Sequence, residues 1–296
     1  MTETTSGSGA DDLVADATQE RAHEAVRMMA RVHGLDLSCY SKAFLGRCIE
    51  ERAHTAGSGT AETYLERLAV DAAEADSFCR SLRVGYTEFF RNPMTFAVLE
   101  QVVLPQLIEH KGTTDAATLR VWSCGCAAGQ EAWSVAMLLD ELALRKNVPS
   151  RYRVIATDIC EEDLAVARAG VYSAAAVGNL RVSHLNTYLV GHGDDYAVCE
   201  RLRNGVTFAA YDLRDSDTCS PPVSVFGDFD LVLCCNLLLY YAPPTQRRML
   251  EKVRRSLRPG GYLVTDEAER HIVRRAGGFS DASPQTPIFR STRSRA

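Results

Sequence analysis

The 296-residue chain has no Cys-x-x-Cys pair among its 10 cysteines, which argues against a zinc site and against a disulfide framework. Most of these cysteines stand in apolar runs such as Leu231-Val232-Leu233-Cys234-Cys235, where a thiol is a small buried hydrophobe in a reducing compartment. No metal is expected. No apolar run approaches the roughly 20 residues of a membrane helix, and the polar, acidic stretch from Met1 to Asp16 has no secretory h-region. A cytoplasmic protein without membrane insertion is therefore expected. A surplus of positive charge is also missing. With 33 Lys and Arg against 38 Asp and Glu, the net charge of −5 is the reverse of what phosphate binding needs, so no nucleic-acid partner is expected. Nor does the sequence offer a Ser-His-Asp or Cys-His set for nucleophilic catalysis.

What is present is apolar material, 46% of residues, enough for two ordinary domains. Residues 1–18 lack apolar periodicity and read as a disordered leader. Over residues 19–92, Ala25, Met28, Met29 and Val32, then Tyr64, Leu65 and Leu68, recur at helical spacing, which predicts a small helical domain of about four helices and a linker. From Leu119 the texture changes to short apolar runs alternating with helical patterns. Residues 93–296 therefore read as an α/β domain, a doubly wound, Rossmann-like sheet. Strands are predicted at 119–124, 152–157, 206–210, 229–234 and 262–265, with a helix over 245–257 ended by Pro259-Gly260-Gly261. Residues 170–205 fit the alternation poorly and read as an inserted small subdomain.

After the first predicted strand, Cys124-Gly125-Cys126-Ala127-Ala128-Gly129-Gln130-Glu131 forms a turn of small residues before a helix, where backbone can approach a ligand. The spacing from Gly125 to Gly129 is Gly-x-x-x-Gly, so the Gly-x-Gly-x-x-Gly cradle for a pyrophosphate is not matched. Asp158 ends the second strand, where a doubly wound sheet places the carboxylate that accepts from ribose hydroxyls. The alternative is that it caps the helix starting near Glu161, since Thr-Asp before a helix is also good capping chemistry. Asp212 and Leu213 follow the strand at 206–210, at the level of an adenine amino group. Asn236 and Tyr240 leave the carboxyl end of the strand at 229–234, where an aromatic ring would face a sulfonium. Arg91, in the linker Gly85 to Pro93, is either a solvated side chain or a charged clamp on the cleft.

These residues together resemble the chemotaxis-receptor glutamate methyltransferases, the CheR-type family, in order from about Ala25 to Ser291. The resemblance is carried by His33-Gly34-Leu35-Asp36-Leu37-Ser38, Thr87-Glu88-Phe89-Phe90-Arg91-Asn92-Pro93, Val121-Trp122-Ser123, Gly129-x-Glu131-x-Trp133-Ser134 and Ala156-Thr157-Asp158-Ile159. It implies S-adenosyl-L-methionine as cofactor, with Thr87, Arg91, Glu131, Asp158, Asp212, Leu213 and Asn236 lining its pocket and Arg91 and Tyr240 nearest the methyl group. It implies methylation of a protein glutamate carboxylate; a small-molecule acceptor, a metabolite carboxylate or a carbon beside a keto group, is the alternative. It also implies that 170–205 is a small antiparallel subdomain. The chain departs from the family at Gly85, usually Asn, at Cys235, usually Arg, and at Asp266-Glu267-Ala268-Glu269, usually a Gly-His-Ser-Glu-like loop.

Overall fold

The computed structural model describes residues 8–111, 118–147, 151–224 and 227–293, with side chains from residue 16 onward. Two compact units form: one holds the chain up to Val84 together with Leu239–Gln246, the other Gly85–Leu238 and Arg247 onward. The linker from Gly85 to Asn92 thus lies with the second unit.

The first unit is helical: α1 (Ser8–Met28), α2 (Lys42–Thr55), α3 (Ala61–Val70) and α4 (Ala72–Ser81). Helix α1 begins inside the stretch expected to be disordered. Ala10, Leu13, Ala15 and Ala17 are good helix formers, a propensity that the polar composition of the stretch masks. Residues 1–7 of that expected leader lie outside the described residues. Local chemistry sets the other helix starts, because the side chains of Ser41, Thr60 and Asp71 accept from the amides of Phe44, Thr63 and Glu74. The apolar stripes meet in a core with Ala25, Met29, Leu45, Ile49, Tyr64, Leu68 and Phe78 fully buried. Within it, the buried carboxylate of Glu74 accepts from the Tyr64 hydroxyl at 2.8 Å and pairs with Arg52.

The second unit opens with α5 (Pro93–Val98) and α6 (Leu104–Lys111), joined by a π-helical turn at Leu99–Val103, helices that the periodicity did not disclose. Asn92 caps α5 by accepting from Thr95, with Pro93 in the first turn. Then come β1 (Leu119–Cys124), α7 (Gln130–Lys146), β2 (Tyr152–Asp158), α8 (Glu161–Ala169), β3 (Val171–Ser173), α9 (Val182–Tyr188), β4 (Leu189–His192), β5 (Asp195–Val198), α10 (Glu200–Arg203) and β6 (Val206–Ala210). They are followed by β7 (Phe229–Leu233), α11 (Pro243–Ser256), β8 (Leu257–Val264), α12 (Arg270–Ala276), β9 (Phe279–Asp281) and β10 (Ile288–Ser291).

The main sheet has the order β6-β2-β1-β7-β8-β10-β9, parallel from β6 to β8 and antiparallel at β10. All residues of β7 are buried, and since successive side chains point to opposite faces, both faces of the sheet are covered. The fold is the doubly wound α/β sheet that the alternation predicts. Two features differ in detail. Strand β8 begins at Leu257, and the Pro259-Gly260-Gly261 segment, expected to end the helix, bulges out of it where Phe229 pairs Leu257 but Leu231 pairs Tyr262. The pair β9 and β10 adds an antiparallel edge that the short, polar-interrupted sequence after Gly277 conceals. Residues 170–205 supply β3-β5-β4, a separate three-stranded antiparallel sheet.

At the amino end of β7 the fully buried Asp230 lies 3.0 Å from Lys111 Nζ and 2.7 Å from Arg258 Nε, and accepts from the Arg120 amide at 2.8 Å. It ties α6, β1 and β8 to the central strand. Removing one side of such a cluster leaves buried charge uncompensated. Asp230→Ala is therefore expected to destabilise the protein by about 3–5 kcal/mol, read as a lower midpoint in denaturant unfolding; a loss below about 1 kcal/mol would mean that the cluster is effectively solvated.

Candidate active site

The chain leaves β1, forms β2 and β6 on one side, and then crosses to place β7 on the other side of β1. Strand order reverses between β1 and β7, and at such a switch point the loops beyond the carboxyl ends of the strands part into a crevice. The turn after β1, Asp158 at the end of β2, Asp212 after β6 and Asn236 after β7 all stand at that edge, on four neighbouring parallel strands. Sequence-distant candidates are brought together by topology.

The turn after β1 carries three left-handed residues, Gly125 at φ 66°, Ala127 at φ 44° and Gly129 at φ 91°. Such a conformation costs a non-glycine residue about 1–2 kcal/mol, and the neighbouring strand end stabilises it. The Thr157 carbonyl accepts from the amides of Gly125 and Cys126, and Asp158 Oδ2 accepts from the Ala127 amide at 2.8 Å. Asp158 Oδ1 accepts from the Cys160 amide ahead of α8. Asp158 thus ties the turn after β1 to the segment that leads into α8, although α8 itself carries no side-chain cap. With one N–H on each oxygen and about four acceptor sites on a carboxylate, it retains capacity for ribose hydroxyls. At Gly129 a Cβ would lie 2.8 Å from the Cβ of Ala167, so close packing on α8, beside the positive φ, requires glycine there.

Glu131, in the first turn of α7, accepts from the Ser123 hydroxyl at 2.6 Å. Burial pushes its carboxyl above the usual range, against the lowering effects of Ser123, of the Cys235 thiol that hydrogen-bonds it, and of the Arg91 charge. An acid so placed at a crevice suits a cationic ligand group. Arg91 is exposed; it donates to the Tyr86 carbonyl at 3.1 Å and stacks over the Tyr86 ring. Thr87 is half-buried in the same segment. Asp212 is engaged with Arg214, which donates to both of its oxygens at 2.8–3.1 Å, while Leu213 beside it is buried. Tyr240 belongs to the first unit, where its ring lies 4.8 Å from that of Phe44 and its carbonyl accepts from the Ser41 amide.

Beyond β7, Asn236 is left-handed at φ 53°. The amides of Asn236, Leu237 and Leu238 all donate to one carboxylate, that of Glu269, at 2.7–2.9 Å. Glu269 also accepts from the Asp266 amide, closing a capping box at 267–269. In the sequence, Asp266 to Glu269 stand out as a departure from the family, with Asp266, Glu267 and Glu269 the place to seek the methyl-proximal site should Arg91 prove a solvated hinge residue. The Asp-x-x-Glu spacing was the available signal for the cap, but nothing local discloses that the same glutamate reaches back to residues more than thirty positions earlier.

A crevice at the switch point of a doubly wound sheet, with a glycine turn that is no pyrophosphate cradle and an acid at the end of β2, is the arrangement of a Rossmann-like nucleoside-binding site. Residues 85–281 match the family model for the CheR methyltransferase, SAM binding domain, and the chain belongs to that family. S-adenosylmethionine is its cofactor. Among relatives, a chemotaxis protein methyltransferase of Listeria monocytogenes is 30% identical over 82% of this chain and 87% of that protein. Chemotaxis protein methyltransferase 1 of Pseudomonas aeruginosa is 35% identical over 64% of this chain and 67% of its own length. An uncharacterized 104.1 kDa protein of Rhodobacter capsulatus is 30% identical over 92% of this chain, which spans only 27% of that protein.

Two substitutions measure the turn. Gly129→Ala is expected to lower the melting temperature, through about 1–3 kcal/mol of backbone strain and overlap with Ala167, and to weaken S-adenosylhomocysteine binding in calorimetry. Asp158→Ala is expected to weaken binding by about 1–3 kcal/mol through lost charge-assisted hydrogen bonds; unchanged affinity would remove Asp158 from the site.

Proposed function

We propose that the protein transfers a methyl group from S-adenosylmethionine to a carboxylate of a protein glutamate, in the cytoplasm. The observation that supports this most is continuous similarity to proteins named chemotaxis protein methyltransferases, over 82% of this chain in the Listeria relative. No helix among the described residues is long and apolar enough to cross a membrane.

In this reading Asp158 accepts from the ribose hydroxyls, and Asp212 and Leu213 bound the adenine side. Glu131 receives the ammonium group, Thr87 and Asn236 complete the pocket, and the glycines 125 and 129 give the backbone its close approach. Bound there, the cofactor supplies an electrophilic methyl on a sulfonium. The acceptor needs no strong base, since a glutamate carboxyl with a pKa of about 4.3 is already ionised at neutral pH. The chain's own task is alignment and exclusion of water. Arg91 orients a carboxylate, for which a planar fork that donates in pairs is suited. The role assigned to Tyr240 rests on the family resemblance and on the affinity of an aromatic face for a sulfonium.

Transfer of radiolabel from labelled S-adenosylmethionine into cell lysate, split into protein and small-molecule fractions, tests the acceptor. A base-labile label on protein is expected, as for a methyl ester; label confined to small molecules would sink the protein assignment. Arg91→Ala, Arg91→Lys and Tyr240→Phe are each expected to lower kcat at saturating cofactor while changing cofactor Kd by less than about tenfold, the pattern of groups that act chiefly in the transition state. Near-normal turnover of both Arg91 variants would leave that arginine a solvated linker residue.

A further inference from the structure

Glu269 is completely buried. Its carboxylate gathers four backbone amides, from Asn236, Leu237 and Leu238 beyond β7 and from Asp266 beyond β8. Three consecutive amides converging on one side chain hold Asn236 in its left-handed conformation, which a non-glycine residue adopts only when its surroundings impose it. The consequence reaches the cofactor turn through Leu237. Its two methyl groups lie 3.2 Å from where a Cβ at Gly125 would sit, so they close the face of Gly125. A buried acid, a left-handed strand-end residue and the first glycine of the turn therefore form one continuous chain of contacts. The reading of the turn as the cofactor seat does not by itself require this.

We propose that Glu269 is a positioning residue for the cofactor: as an ionised carboxylate it sets the Asn236–Leu238 loop and, through Leu237, the Gly125 turn, so that cofactor binding depends on its ionisation. This rests on the assignment of that turn to S-adenosylmethionine. Only the carboxylate can serve all four donors. A protonated carboxyl carries an O–H of its own facing amides that also donate, and at least one of them loses its acceptor.

The ionisation falls within a useful range. Burial raises the Glu269 carboxyl to about 7, and the four amides hold it from rising further. The titratable groups facing it from the end of β7 are the thiols of Cys234 and Cys235, both pushed well above the usual thiol range, so they stay neutral as Glu269 titrates. From its own turn and α12, Glu267 and Arg270 pair with each other at 3.4 Å, and Asp266 accepts from the Ala268 amide. The two effects of pH have opposite signs. A carboxyl raised in the folded state binds its proton more tightly than in the unfolded chain, so its contribution to global stability is present below the unfolded value near 4.5 and lost as pH rises through 7. Loop order and cofactor affinity run the other way, gained as pH rises through 7.

Calorimetric titration of the full chain with S-adenosylhomocysteine between pH 6 and pH 8 decides the matter. Wild-type affinity is expected to weaken about tenfold on going from pH 8 to pH 6, with about half a proton released on binding at pH 7 and close to one at pH 6, measured in two buffers of different ionisation enthalpy. Glu269→Gln, which presents one acceptor oxygen and two donors, is expected to bind at least about tenfold more weakly at pH 8 and to show a flat profile. Should that variant fail to fold, the wild-type proton release stands as the independent readout. Glu131 is also a raised acid at this crevice; Glu131→Gln is expected to retain the pH dependence. A pH-independent wild-type affinity, a folded Glu269→Gln with wild-type affinity, or a profile abolished by Glu131→Gln instead would each overturn the proposal while leaving the cofactor reading intact. Failure to bind at every pH would fell the cofactor reading and the proposal with it.

Discussion

The Asp158 carboxylate joins two backbones that would not otherwise keep their positions. One oxygen takes the amide of Ala127, in the turn after β1, and the other takes the amide of Cys160, before α8. That turn concentrates three left-handed residues within five positions, and Ala127 among them has no glycine's freedom. Without the amide bonds to Asp158 and to the Thr157 carbonyl, the strain at Ala127 would relax into a different loop. The start of α7, and with it Glu131 above Ser123, would lose its place. The parallel register of β1 against β2, Cys124 beside Thr157, brings donor and acceptor opposite one another. The site is therefore a consequence of strand pairing before it is a property of any one motif.

On the other side of β1 the same device recurs with a different acid. Glu269 holds the loop beyond β7 as Asp158 holds the turn beyond β1, both through backbone amides, and the two loops meet where Leu237 covers Gly125. Their environments differ in one respect that matters. Asp158 lies at the crevice mouth, half-buried, whereas Glu269 is enclosed, and enclosure disfavours charge. The dry anchor holds its side of the edge in order only when a proton is absent. Nearby, Cys235 follows the buried Cys234 at the end of β7. Its thiol hydrogen-bonds Glu131, so that acid is steadied by a neutral donor, with Arg91 supplying positive charge from the linker.

How much of this was legible beforehand follows from the range of each interaction. The alternation of β-type runs with helices between Leu119 and Thr265 announced the doubly wound sheet, because strands buried on both faces must be apolar throughout. Gly125, Gly129 and Asp158 were readable as a group since each sits next to its own strand end. The edge strands β9 and β10 were not, being short and half-polar, and the start of α1 was hidden by an acidic composition that a helix tolerates. The partner of Asp212 was two residues away in Arg214, yet nothing in the sequence distinguished an ion pair there from an open acceptor.

The sequence by itself determined the class of fold, the family and the positions of the residues at the carboxyl edge, because periodicity, strand-end glycines and the linker from Thr87 to Pro93 are written in contiguous residues. Only the tertiary structure decided which buried acid holds which loop. Glu269 and Asn236 are far apart along the chain and adjacent only because β7 and β8 pair in parallel, and the bulge at Pro259 to Gly261 sets the register that aligns their ends. Burial of a carboxylate depends on everything that surrounds it, and that is settled by packing over the whole sheet rather than by any local pattern of residues.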